Sequence, residues 1–171
     1  IRSHGIIDTK NYFENPQIAN YEILGYNWRM STITAALGIS QIQKLDRLIK
    51  LRKENAKYIT ERISKFQEIT PPNVPEGYEH IYQMYTIRLK NQKLRDGLHD
   101  FLIKKQIFSK IYFSPIHTTS FYKRKFPTDN TLLPITEKIS EEVLTLPMYP
   151  NMTNEEKNFL IDSISEFFEK E

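Results

Sequence analysis

The sequence predicts an α/β or α+β fold in which a small sheet is covered by helices. Two observations carry that expectation. Apolar residues recur at helical spacing along most of the chain, with short strand-like runs between, in the order helix, helix, strand, helix, strand, helix, strand, helix. A chain of 171 residues, 39% hydrophobic and 12% aromatic, also has enough apolar surface for a real core in one domain or slightly more.

Residues 8 to 24 alternate polar and aromatic side chains with no sustained period, which predicts a loop. Ser31 is placed to cap a helix in which Ile33, Ala36, Leu37 and Ser40 share one face and Ala35, Ile39 and Ile42 fill another. Such a helix is apolar nearly all round, so the expectation is that it is buried. A second helix runs from about Leu45 to Phe66, with an apolar stripe through Leu48, Ile49, Ala56, Ile59 and Ile63 and a basic, solvated face at its start. Pro71, Pro72 and Pro75 then turn the chain.

Alternation from His80 to Leu89 puts Ile81, Gln83, Tyr85, Ile87 and Leu89 on one side of a strand. Leu94, Leu98, Phe101 and Leu102 make an amphipathic helix, and Ile107 to Phe113 reads as another strand. A long loop from Pro115 to Asn130 carries His117, Phe121 and Tyr122. Pro134 to Glu142 follows as a short helix and Val143 to Leu146 as a short strand. Thr153 with Glu156 forms a capping box that opens a last helix, which packs Leu160, Ile164, Phe167 and Phe168.

Composition excludes several classes of function. The net charge of +3 comes from 24 basic and 21 acidic side chains mixed along the chain, too weak a field for nucleic acid. Without cysteine there is no disulfide framework and no thiolate metal site, and His4, His80, His99 and His117 lack zinc-site spacing, so no metal is expected. No apolar run approaches the roughly 18 residues of a membrane span, so a cytoplasmic protein without membrane contact is the simplest expectation. The five glycines are scattered, which excludes a phosphate-binding loop, and no nucleophile motif is present. Ile1 opens the chain without a polar lead-in, which reads as a piece of a longer polypeptide.

Ordered motifs take the analysis further. Arg2-Ser-His-Gly5, Gly25-Tyr-Asn-Trp-Arg-Met30, Ala35-Ala-Leu-Gly38 with Gln41, Lys44-Leu-Asp46 and Arg52 stand in sequence, followed by "HIYQMYTIRL", "SKIYFSPIHTTSFY" and "EEVLTLPMYPNMTNEE". The set resembles the C-terminal half of the DegT/StrS family of sugar aminotransferases. The resemblance implies the C-terminal portion of a pyridoxal-phosphate-dependent transferase fold, with a small, largely antiparallel sheet covered by helices. Residues 1–42 would end the large domain as a trans-reaching loop and a buried interface helix, and 43–171 would form the small domain.

What the family does is then expected of the parent: amino transfer from glutamate to a keto sugar on a nucleotide, in a homodimer, for surface polysaccharide or amino-sugar synthesis. The cofactor's lysine and the acid that holds its ring nitrogen lie upstream of the matched region, so no catalytic residue is assigned in this chain. Asn27 is implied as a contact to the cofactor phosphate in trans, and Arg29 as a clamp on phosphate or on the diphosphate of the nucleotide sugar. Tyr112 and His117 are implied to line the substrate cleft. Trp28 stands where the family more often has Tyr or Phe. His4 reads as structural, His80 as core or edge, and His99 as helix surface.

Read from the residues alone, Arg29 can instead pair with a carboxylate near the helix start, Asn27 can satisfy a turn, and His117 can be a surface residue. Two alternatives stay open for the whole: a non-catalytic binding or regulatory module, and a sugar dehydratase relative with the same fold.

Overall fold

The computed structural model describes residues 4–5, 21–127 and 132–169. Most of the expected loop at 8–24, and residues 128–130 of the later one, lie outside that set. The chain divides into two compact units, Ile1–Leu45 and Asp46–Glu171.

The first unit carries helix α1, Thr32–Ile42, capped by the Ser31 hydroxyl, which accepts from the Thr34 N–H at 3.2 Å. The expectation that α1 is buried does not hold within this chain. None of its residues is buried, and Ile33 (77%) and Ile42 (71%) are largely exposed. The reason is geometric. A helix buries its apolar surface only against another layer, and the first unit has no second helix or sheet among the described residues.

The second unit is a mixed α/β layer built on a three-stranded antiparallel sheet of order β1-β2-β3: Ile69–Thr70, Tyr85–Leu89 and Val143–Leu146. The register places Tyr85 opposite Leu146 and Ile87 opposite Leu144, and all four side chains are buried. Beside them Ile69 pairs with Leu89. Three helices close over this apolar surface: α2 (Leu45–Ile63) with Ala56, Ile59 and Ile63, α3 (Gln92–Lys104) with Leu98 and Leu102, and α6 (Asn154–Glu169) with Leu160, Ile161 and Ile164. Between pairs of core residues, Thr86 and Thr145 face each other and join their hydroxyls at 2.8 Å. Tyr85 is buried with its hydroxyl 2.6 Å from that of Thr60, and burial pushes its phenol up to about 12. The remaining elements are a 3-10 turn at Ile116–Thr118, α4 (Ser120–Lys125) and α5 (Pro134–Glu142).

Local signals explain the helix ends. Pro134 opens α5 at a position where no N–H is needed. The capping box of α6 is closed from both sides: the Thr153 N–H donates to Glu156 at 2.8 Å and the Glu156 N–H donates to the Thr153 hydroxyl at 3.2 Å. The expected boundaries of α5 and β3 coincide with those observed.

Five expectations need correction. The strand expected from His80 starts only at Tyr85, because Tyr82 takes φ 51° and breaks the alternation. His80 Nδ1 accepts the Tyr82 N–H at 3.0 Å, and Arg52 Nη1 donates to the carbonyls of Tyr82 and Gln83 at 3.0 and 3.3 Å. His80 is accordingly exposed in a turn and not a core or edge residue of a strand. The segment Ile107–Phe113 is not a strand. It touches the sheet at one bridge, where Lys110 and Thr145 exchange N–H···O bonds of 2.9 and 2.8 Å. The loop after Pro115 contains the 3-10 turn and α4. His99 is no free surface residue but is half-buried, its ring nitrogen 2.9 Å from the hydroxyl of buried Ser109.

The two units predict opposite responses to the same substitution. Leu98→Ala, at a fully buried site, should cost about 2–5 kcal/mol in urea unfolding. Leu37→Ala, on a helix residue 63% exposed, should stay within about 0.5 kcal/mol.

Candidate functional site

Two glycines hold the loop that carries Asn27 and Arg29. Gly5 (φ 87°) and Gly25 meet backbone to backbone: a Cβ on Gly5 would lie 1.8 Å from the Ile23 carbonyl oxygen, and one on Gly25 would lie 2.0 Å from the Gly5 nitrogen. No other residue fits either place. The His4 N–H donates to the Tyr26 carbonyl at 2.9 Å and the Glu22 N–H to that of Gly5 at 3.2 Å. His4 and Gly5 thus clasp the start of the "GYNWRM" motif, and His4 takes part through its backbone.

On the clasped loop Tyr26 and Trp28 stack, ring centroids 4.4 Å apart and planes 4° from parallel. Their neighbours in sequence, Asn27 and Arg29, form a polar pair in which Arg29 Nε donates to Asn27 Oδ1 at 3.0 Å. Arg29 therefore meets an amide where a carboxylate near the helix start was the alternative. Both side chains are exposed. The bond uses one guanidinium N–H and the amide oxygen. Among the described residues nothing else bonds to the amide nitrogen of Asn27 or to the two terminal nitrogens of Arg29. The pair therefore keeps the Asn27 amide N–H groups and the terminal guanidinium nitrogens of Arg29 as donors, one set fully charged, which suits a phosphate or carboxylate.

In the second unit, His117 sits half-buried in the 3-10 turn with Nε2 2.9 Å from Glu137 Oε1, on the first turn of α5. That bond to His117 holds the Glu137 carboxyl below the usual carboxylate range, helped by the Leu133 N–H. His117 is therefore not a plain surface residue. Tyr112 is half-buried and stacks on Phe113 at 4.5 Å, with the Lys110 ammonium 5.8 Å from the Tyr112 ring centroid. No hydrogen bond or ring contact joins Tyr112 to His117 among the described residues. Sequence reasoning missed Glu137. The available signal was an acid in the first turn of a helix opened by proline.

The model of the DegT/DnrJ/EryC1/StrS aminotransferase family matches residues 1–165. The chain belongs to that family. It is similar to the GDP-perosamine synthase of Escherichia coli O157:H7, 28% identical over 148 residues that make up 86% of this chain and 39% of that protein. It also resembles an uncharacterised Methanocaldococcus jannaschii protein, 28% identical over 96% of this chain and 44% of the relative. The chain thus spans about two fifths of the length of these relatives. Among solved structures, Helicobacter pylori PseC, an aminotransferase of pseudoaminic acid biosynthesis, superimposes with a TM-score of 0.78 at 24% identity, over 99% of this chain and 44% of that one. A family member from Brucella abortus gives 0.74 at 25% identity over 97% and 41%. The fold class expected from the motifs is the one these aminotransferases share.

Because Glu137 titrates below its ordinary value, its contribution to stability is present above the usual carboxylate range and is lost as pH falls through the lowered value. Glu137→Gln should therefore be less stable than the parent at pH 7, and the gap should close on titration below about pH 4 in thermal unfolding. A gap independent of pH would mean that the Glu137 charge does not hold His117.

Proposed function

We propose that the chain is the C-terminal part of a pyridoxal-phosphate-dependent nucleotide-sugar aminotransferase, which transfers an amino group from glutamate to a keto sugar. The observation that carries this is the hydrogen-bonded pair Asn27–Arg29, with its free amide and guanidinium donors, on a loop locked by Gly5 and Gly25, in a chain of this family. The products would serve amino-sugar or surface-polysaccharide synthesis in the cytoplasm.

The donor set fits a phosphate group. The Asn27 amide nitrogen donates a neutral hydrogen bond to a phosphate oxygen of the cofactor, across a homodimer contact, and so needs no counter-charge of its own. The two terminal nitrogens of Arg29 take the diphosphate of the nucleotide in a two-pronged grip, which fixes the sugar's direction as well as its charge. Tyr112 and His117 would line the sugar's side of the cleft. His117, kept in one orientation by Glu137, presents a ring edge to a sugar hydroxyl, while Tyr112 offers an aromatic face and a hydroxyl. The cofactor, when bound, supplies the electron sink for amino transfer. In this proposal its lysine belongs to the half of the protein outside this chain, and the isolated chain does not turn over.

Two substitutions in the full-length enzyme separate the roles. Arg29→Ala should raise the KM for the nucleotide sugar by roughly 10- to 100-fold while the absorbance of bound cofactor between about 320 and 430 nm is unchanged. Asn27→Ala should weaken cofactor binding by about 3- to 10-fold, read from the same absorbance on titration with pyridoxal phosphate. An Arg29→Ala enzyme with unaltered KM would rule out the diphosphate grip.

A further inference from the structure

A cavity of about 290 Å³ opens between the segment after α3, the segment after β3 and the first turns of α6. Its floor is apolar: Met152 and Leu160 are 8% and 2% exposed. Around it stand three aromatic side chains that the core does not use, Phe108, Tyr149 and Phe159, exposed by 69%, 39% and 51%. The single charged residue in its lining is Glu156.

The state of that charge decides what the cavity can hold. The nearby Tyr149 hydroxyl and the Thr153 N–H, which Glu156 accepts in the capping box, keep its carboxyl below the usual range. It is ionised at neutral pH. No salt bridge reaches it among the described residues, whereas Glu54, Glu61, Glu79, Glu142 and Glu166 each have a cation within reach. The contact with the Glu156 carboxylate, together with burial, pushes the Tyr149 phenol up to about 12, so its ring stands beside the cavity as a neutral phenol at neutral pH.

Aromatic faces attract a cation through the ring quadrupole, and an unpaired carboxylate attracts it by charge. An apolar floor takes the body that carries the cation. A neutral apolar molecule would leave the carboxylate without a counter-charge, and an anion would be repelled by it. We propose that this cavity is a binding site for an organic cation, an alkylated ammonium on a small apolar body, held by Phe108, Tyr149, Phe159 and Glu156.

The test uses the 171-residue chain and two probes of one shape, choline and 3,3-dimethylbutan-1-ol, which differ in the positive charge. Titrations are followed by amide chemical shifts of residues 106–108 and 149–160. Choline should saturate and bind at least about fivefold more tightly than its neutral analogue, the worth of one cation–π contact. Phe108→Ala removes an exposed ring outside the core, and Glu156→Gln keeps the capping geometry. Each should weaken choline about fivefold or more while the melting temperature stays within a few degrees. Equal affinity for the two probes, shifts that fail to saturate, or choline binding untouched by both substitutions would overturn the proposal.

Discussion

A sheet whose strands span two, five and four residues cannot stand alone, because so few ladder hydrogen bonds do not offset the backbone entropy of forming them. What makes it stable is one continuous apolar face. Tyr85, Ile87, Leu89, Leu144 and Leu146 form that face, and three helices must reach it from three places in the sequence. At about 1.5–3 kcal/mol for each fully buried large side chain, this contact outweighs any single hydrogen bond in the unit. Everything else in the second unit is arranged so that α2, α3 and α6 arrive together.

Two side chains of α2 do much of that arranging. Arg52 Nη1 reaches the carbonyls of Tyr82, Gln83 and Met148, and Asn55 Nδ2 reaches those of Tyr149 and Pro150 at 2.9 and 3.1 Å. The amide oxygen of Asn55 in turn accepts from Lys157 on α6 at 3.3 Å. These carbonyls belong to the turn before β2 and the segment after β3, where the backbone has left the sheet and needs other donors. One helix thus fixes one end of the sheet, where Tyr85 pairs with Leu146, and the start of α6. The same segment carries Tyr149, so the wall of the apolar cavity is set by the clamp that closes the core.

What could be read from the sequence follows from how local each cause is. The boundaries of α5 and β3 and the capping box of α6 were legible because proline, threonine and glutamate act within a turn of where they stand. The early start expected for β2 was wrong because Arg52, 30 residues upstream of Tyr82, holds a turn where the alternation of side chains continues unchanged. Strand β1 is invisible for the complementary reason: Ile69 and Thr70 become a strand only by pairing with Leu89 and Arg88. At the candidate site, Asn27 and Arg29 were legible as neighbours in one motif. The Gly5–Gly25 contact and the His117–Glu137 bond join residues 20 apart, and no periodicity reports them.

The first unit obeys a different logic. Leu24, Trp28, Met30, Ile33, Leu37 and Ile42 are all more than half exposed, so their burial contributes nothing within the chain. The loop is nevertheless held firmly, by a backbone contact that tolerates no side chain and by a stacked pair of rings. Rigidity without burial has a definite consequence for the polar pair that the loop carries. Asn27 and Arg29 stand amid apolar surface, and covering that surface would remove water from around a guanidinium already oriented by its amide neighbour. In such surroundings an anion gains far more from a fixed donor than it would in water, and the donors lose little entropy on meeting it. In the proposed function, a loop that is ordered in advance and apolar around its charges would act once covered, as a binding group presented at a protein contact.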